Sequence, residues 1–262
     1  MKDGIFMVNN RQTDWDDQKL AVVIQKALLD SHIPQCDCGR IVVKNRMCDA
    51  VGGDFYHFRK LNSDQVAFAI GDVLGHGTSA ALIMAIIMGI LRGDRQNQSR
   101  PSRILEGIND LLIELGGKIG MPTTCSLIYG VVDLPSGNLF YTNAGHPHPI
   151  VCNRGTGTIR HLGPTTMLLG VQGHVREESC HQFAPEDRII LFTDGLLESV
   201  NEDQEFFGQD RLDRVIQAGS AEPPEKQAEA IFAEIDRFSG YSEHQDDQTL
   251  VVIDFTPLSG KS

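Results

Sequence analysis

Residues Ala67–Leu82 read AFAIGDVLGHGTSAAL: an apolar run, a glycine-studded corner, then the opening of a helix. Two different machines begin this way. Gly75 to Ala80 spells G-x-G-x-x-A after a strand, the form of a dinucleotide turn whose helix N-terminus receives a pyrophosphate. Asp72 at the end of the strand argues the other way, because a carboxylate repels phosphate unless a cation stands between them. The residues that follow decide. A dinucleotide unit continues from its helix into a second parallel strand with an acid about 20 residues on. Here a helix over Thr78–Arg92 leads through Gly93-Asp94-Arg95 to a second helix, Ser102–Leu115. Its stripe of Ile104, Leu105, Ile108, Leu111, Leu112 and Leu115 is expected to stop at Gly116. The crossover is missing, and the dinucleotide reading falls with it.

Outward from that corner, strand patterns surround the helix pair. Arg40–Lys44, Phe55–Phe58 and Gln65–Ile70 precede it. Thr123–Asp133 and Asn138–Ala144 follow, joined by the turn Leu134-Pro-Ser-Gly137. Pro149–Cys152, Glu177–Phe183, Asp187–Thr193 and Thr249–Phe255 are further strands, the last preceded by a helical region clearest at Gln227–Phe238. Strands and helices come in blocks joined by hairpins, which predicts an α+β fold with antiparallel sheets. Near the start, Trp15–Ser31 carries Leu20, Val23, Ile24, Ala27 and Leu28 at helical spacing. His32-Ile-Pro34 stops that helix. It is expected to dock on its own domain or, alternatively, to face a partner.

The chain has 262 residues, 41% hydrophobic and 22% charged, with a formal net charge of −12. That length can bury a large core. The acidic surface excludes nucleic acid and anionic membranes as main partners. MKDGIFMVNN lacks the apolar segment of a signal peptide, and the longest apolar run, Ala80–Leu91, is too short to span a bilayer. Six cysteines form no disulfide-like framework. Cys36, Cys38 and Cys48 give only a weak zinc pattern. A cytoplasmic location with reduced thiols is expected.

The aspartates fall in a pattern. Asp54 follows Gly52-Gly53 and opens a strand. Asp72 ends VAFAIG, Asp194 ends RIILFT, and Asp246 and Asp247 precede TLVVIDF. Taken singly, each fits ordinary turn chemistry, and Asp203, Asp210 and Asp213 read as solvated surface. Strand ends of one architecture can converge at one edge, however, and gathered carboxylates need a compensating charge. Oxygen-only ligands favour Mg²⁺ or Mn²⁺. A pair of such ions can activate a water for in-line displacement at phosphorus.

VGGDFYHF (51–58), GDVLGHGTSAAL (71–82), LFYTNAGHPHPIV (139–151), LFTDGLLESVN (191–201) and DDQTLVVI (246–253) together resemble, in order and spacing, the PPM-type metal-dependent serine/threonine protein phosphatases. The nearest branch is the bacterial one typified by the sporulation stage II E phosphatase. AVVIQKALL (21–29) also resembles the helix preceding the catalytic domain in that branch. The resemblance implies a four-layer α-β-β-α sandwich over residues 35–257, after an N-terminal polar segment and regulatory or dimerising helix at 1–34 and before a tail at 258–262. It implies that Asp72 bridges two Mn²⁺ or Mg²⁺ ions, that the Val73 carbonyl serves one, that Asp194 and Asp246 hold the other, and that Asp54 joins directly or through water. Asp72 and Asp54 are then the catalytic acids, with Asp247, His76, Asn143 and His146 as surrounding groups, and Gly71, Gly75 and Gly77 allowing the tight turn.

The implied activity is hydrolysis of phosphoserine or phosphothreonine by metal-activated water, without a phosphoenzyme. The implied substrate is a phosphorylated anti-sigma-factor antagonist of the STAS type, and a homodimer through the N-terminal helix is compatible with it. Two positions depart from the family pattern: His57 stands where an acid is usual, and Leu74 stands where animal members carry a histidine. Arg40, Arg46 and Arg59 are the candidate phosphate-clamping arginines. The competing reading is a catalytically weak phosphoprotein-binding scaffold of the same fold.

Overall fold

The apolar runs QVAFAI, LIYGVV, RIILF and TLVVI bury both faces of their strands, as strands covered on two sides do, whereas RIVV is half-buried. A computed structural model describes residues 17–30, 39–171, 173–240 and 245–255. Among the described residues, ten strands form two five-stranded sheets. The first runs in the order β1 (Gly39–Arg46), β10 (Gln248–Phe255), β9 (Asp187–Phe192), β6 (Ile150–Asn153) and β7 (Ile159–His161). The second runs β2 (Phe55–Lys60), β3 (Gln65–Val73), β4 (Cys125–Asp133), β5 (Asn138–Ala144) and β8 (Ser179–Gln182). Among the described residues every pairing of these strands with one another is antiparallel.

Period-two alternation divides the apolar residues among three cores. On β3, Ala67, Ala69 and Val73 pack toward helices α1 (Asp17–Leu29), α2 (Gly77–Gly93) and α3 (Pro101–Ile119). Val66, Phe68 and Ile70 pack toward the other sheet. On β10, Val251 and Ile253 join that central core, while Leu250 and Val252 pack toward α4 (Gln209–Ala218) and α5 (Pro224–Phe238). The layers are therefore helix, sheet, sheet, helix.

Several expectations are corrected. Helix α3 runs through Gly116 and stops at Gly120, which is left-handed at φ 71°, because Pro122 lies just beyond and blocks continuation. Gly71 and Asp72 lie inside β3 rather than beyond it. Asp213 is not solvated surface, since its carboxylate meets His161 Nε2 at 2.9 Å and accepts from Gln209 Nε2 at 2.7 Å. The strand β7 that supplies His161 spans three residues, too few to show a pattern. Cys36, Cys38 and His32–Pro34 lie outside the described residues, and Cys48, Cys125, Cys152 and Cys180 carry free thiols.

The helix α1 turns a different face inward from the one its spacing indicated. Leu20, Val23 and Ile24 are exposed, whereas Gln25 and Leu29 are buried. The reason is polar: Gln25 Nε2 donates to the Gly52 carbonyl at 2.8 Å and its Oε1 accepts from the Gly52 N–H at 3.1 Å. One amide thus satisfies both backbone groups of a buried glycine, and that bond orients the helix.

Behind the first sheet, the fully buried Arg188 holds Asp254 through Nε at 2.6 Å and Nη2 at 2.9 Å, and also donates to Gln227 and the Glu222 carbonyl. Removing one partner of such a pair strands the other. Arg188→Met is expected to cost about 3 kcal/mol in urea unfolding, with Asp254→Leu added to it restoring part of the loss. An unchanged midpoint contradicts this account.

Candidate metal centre

Strand register gathers the acids at one open end of the sandwich. Phe55 pairs with Gly71 across β2 and β3, so Asp54 and Asp72 stand opposite one another one residue further along. Asp72 shares the face of Val66, Phe68 and Ile70, which looks toward the other sheet. Leu250 pairs with Phe192 across β10 and β9, which sets Thr249 opposite Thr193 in the same way. Both threonine hydroxyls cross between the sheets to donate to Asp54 Oδ2, at 2.6 Å from Thr249 and 2.8 Å from Thr193. Asn45 Nδ2 donates to Thr249 Oγ1 at 2.7 Å and the Thr249 N–H donates to Thr193 Oγ1 at 2.9 Å, so each hydroxyl is aimed. Thr193, Thr249 and Asn45 escaped the sequence reading; the alternation that placed their apolar neighbours between the sheets is the signal that finds them.

Adjacent acids have different employment. Asp247 is buried, and its oxygens accept from the Cys48 N–H and Gly53 N–H, both at 2.9 Å. Asp246 is half-buried and accepts from the Asp247 N–H at 2.8 Å. Asp194 opens a 3₁₀ turn, Asp194–Leu196, directly after β9. Gly53 keeps the corner tight, since a Cβ there would fall 2.7 Å from the Val73 carbonyl oxygen and 3.1 Å from Asp72 Oδ1. Gly75 takes φ 95°, the left-handed turn that lets the chain leave β3 for α2. Gly71, inside the strand, has a different role from the one expected: the Phe55 ring occupies the space a Cβ would need.

The electrostatics follow from this crowding. Burial, and then the charges of Asp54, Asp194, Asp246 and Asp247, push the Asp72 carboxyl up to about 9. Burial pushes Asp54 up to about 8, against the two threonine hydrogen bonds, which favour its charged form. Burial also raises Asp194 and Asp246. These groups feel one another, yet among the described residues no three His, Cys, Asp or Glu side chains close into a ready-made cage. A hard divalent cation fits this donor set: all oxygen, strongly anionic and short of positive charge. Magnesium keeps several waters and asks for few protein ligands, which suits acids that converge without closing.

The remaining candidates separate. His76 is exposed at the entry to α2, with Nδ1 2.8 Å from Asp49 Oδ2, and its charge bears on Asp246. His146 is buried and held neutral, its pKa lowered to about 3 by burial. Its Nδ1 meets Ser126 Oγ at 2.9 Å, and Ser126 is the cross-strand partner of Asp72. Asn143 closes that loop, accepting from the His146 N–H at 2.9 Å and donating to its carbonyl at 3.1 Å. Asn143 and His146 thus brace the strand behind Asp72. His57 lies two residues further along β2 than Phe55, and burial lowers its pKa to about 4. Arg40 pairs with Glu225, and Arg59 donates to the Arg92 carbonyl. Arg46 grips Asp236 at 2.6 and 3.0 Å and lines a cavity of about 330 Å³ with Asp246 and Glu198.

The model of the family described as stage II sporulation protein E (SpoIIE) matches residues 62–256. The chain belongs to that family. Among curated relatives, the phosphoserine phosphatase RsbU of Bacillus subtilis is 25% identical over 239 residues, covering 90% of this chain and 69% of RsbU. The phosphoserine phosphatase RsbP of the same organism is 27% identical over 150 residues, 56% of this chain and 37% of RsbP. The SiaA-PP2C domain of Pseudomonas aeruginosa superposes with a TM-score of 0.79 at 22% identity, covering 92% of this chain and 96% of that domain. RsbX in complex with magnesium superposes at 0.62 with 15% identity, covering 86% of this chain and 99% of RsbX. These two likenesses establish the PP2C-type fold. Among the described residues, no helix is long and apolar enough to cross a membrane.

Unfolded carboxyls lose their protons near 4, whereas Asp54 and Asp72 keep theirs to about 8 and 9. Between those values the folded chain binds more protons than the unfolded one, so its stability falls as pH rises. The melting temperature of chelator-treated protein is expected to drop between about pH 5 and about pH 9, and Asp72→Asn to flatten the drop. A melting temperature that climbs through this window contradicts the crowding described here.

Proposed function

We propose that this chain is a metal-dependent phosphoprotein phosphatase acting on phosphoserine and phosphothreonine in the cytoplasm. One observation carries the reading: carboxylates from four separate strand ends, Asp54, Asp72, Asp194 and Asp246, meet at one rim with too little positive charge to ionise freely. That rim belongs to a chain whose relatives RsbU and RsbP are phosphoserine phosphatases. Asp72, the Val73 carbonyl, Asp194 and Asp246 would hold two magnesium or manganese ions, with Asp54 contributing through its second oxygen or a water. The RsbX structure with magnesium supports a hard cation on this fold.

Bound there, the ions would supply the charge that activates a water and offsets the phosphoryl dianion. The chain's own residues do the positioning. Thr193 and Thr249 fix Asp54, the Gly53 and Cys48 amides fix Asp247, and Gly53 leaves room for the Val73 carbonyl to face the rim. Water adds to phosphorus, the bond to the serine oxygen breaks, and that oxygen takes a proton as inorganic phosphate leaves. A water held at the site would supply that proton, with His76, exposed beside Asp49, as the second candidate; His146 is enclosed and braces the strand instead.

The substrate in this reading is a phosphorylated STAS-type antagonist of an anti-sigma factor. The exposed Leu20, Val23 and Ile24 further support residues 1–34 as a handle for a second copy, ahead of a phosphatase domain over 35–257.

Phosphate release from a phosphoserine protein and from p-nitrophenyl phosphate, with and without Mn²⁺, tests the activity. Asp72→Asn is expected to lower kcat by roughly 10²–10³-fold, the scale of losing one group that stabilises transition-state charge. Activity that survives exhaustive chelation sinks the mechanism. A native chain that binds Mn²⁺ by calorimetry yet turns over nothing favours the scaffold reading. For the handle, Val23→Glu with Ile24→Glu is expected to convert a dimer to a monomer in sedimentation, and an unchanged mass removes the helix from the interface.

A further inference from the structure

Beside the carboxylate corner, large apolar side chains stand in water. Leu74 is 72% exposed, Met121 66%, Met167 67% and Leu168 42%, and Ile113 and Ile119 of α3 join them. Backbone bonds sew their segments into one strip. The Leu74 N–H donates to the Thr124 carbonyl at 3.1 Å. Cys125, opposite Val73 in the β3–β4 register, exchanges hydrogen bonds of 3.1 and 3.0 Å with Leu169. Met167 and Leu168 are the two residues before it. A shallow cavity of about 260 Å³, walled by Ile113, Met121, Pro122 and Gly170, lies at the α3 end of the strip.

We propose that this strip is the docking surface for the body of a folded phosphoprotein whose phosphoserine enters the carboxylate corner. The inference rests on the activity proposed above and adds how a protein substrate is held. Leu74 follows Val73 directly, one Cα step of about 3.8 Å. A protein that brings a phosphoserine to Asp72 and Val73 therefore lies across Leu74.

Chemistry agrees with position. With a net charge of −12, the chain has no general attraction for a phosphoprotein. Apolar burial needs none, and flexible thioethers such as Met121 and Met167 mould themselves to a partner. Clustered exposed apolar residues mark contact surfaces. A second copy is the poorer occupant, because a two-fold contact through this strip would bury the same patch on both chains and cover both corners. The partner carries an apolar surface next to its phosphoserine.

The test compares three substrates on the full chain and on Met121→Glu with Met167→Glu, both side chains being exposed enough to change without disturbing the core. The substrates are a serine-phosphorylated STAS-domain protein, a short phosphoserine peptide cut from it, and p-nitrophenyl phosphate. The double variant is expected to lose about tenfold or more in kcat/KM on the folded protein, and to stay within about twofold on the two small substrates. Equal loss on all three, or undiminished turnover of the folded protein, overturns the docking surface.

A native chain that hydrolyses p-nitrophenyl phosphate but neither binds nor dephosphorylates the folded protein overturns docking and leaves the activity standing. One that hydrolyses none of the three overturns the activity itself. A dimer that the double variant dissolves in sedimentation assigns the strip to a second copy and also overturns the proposal.

Discussion

Mutual repulsion among carboxylates in a half-dry cleft is the constraint on which the site depends. Asp72 is pushed up to about 9 by burial and four neighbouring acids, and Asp54 to about 8 although two hydroxyls support its charged form. Left alone, such an arrangement resists ionisation and strains the fold that makes it. The chain sustains it by giving particular acids particular donors. Asp247 is answered by two backbone amides, Asp54 by two threonines, Asp194 by the amides of its own residue and Gly195, and Asp246 by the Asp247 amide, while Asp72 stands among four other acids. What these lack is positive charge, and a hard cation is the simplest thing that provides it.

Facing sheets make the gathering possible. Because side chains alternate along a strand, the residues that fill the space between sheets deep in the sandwich continue, at its open end, as Asp72, Thr193 and Thr249. The same alternation that buries Phe68, Ile70, Leu191 and Val251 therefore aims polar groups at one another where the core runs out. The rim has rigid backing. Asn143 and His146 lock the loop behind Ser126, the partner of Asp72, and Gln25 ties α1 to Gly52 beside the Gly53 amide that holds Asp247. The acids are thus mounted on hydrogen-bonded strand ends rather than on free loops, and such mounting keeps a charged site in register.

At two places where local pattern and structure part company, a non-local polar bond is responsible. Apolar spacing on α1 pointed Leu20, Val23 and Ile24 inward, but the double hydrogen bond between Gln25 and Gly52 turns them to solvent. Asp213 looked like a surface acid and instead receives His161 from a strand of three residues. Neither partner lies within a window over which hydropathy could be read. The end of α3 moved from Gly116 to Gly120 for a local reason, the proline two residues past the true cap.

The sequence alone determined the α+β class, the antiparallel strands, the corner at Gly75–Gly77 and the acids at strand ends, because each is written in short-range periodicity and turn chemistry. Tertiary structure decided which acids stay open to a ligand. Periodicity and turn chemistry do not separate Asp246 from Asp247 in DDQTLVVI, which only the family resemblance ranked; in the fold one is half-exposed and the other is consumed by amides from Cys48 and Gly53. Those amides lie 199 and 194 residues away along the chain. A carboxylate's freedom depends on which donors reach it in space, and only folding brings such distant donors within hydrogen-bonding range.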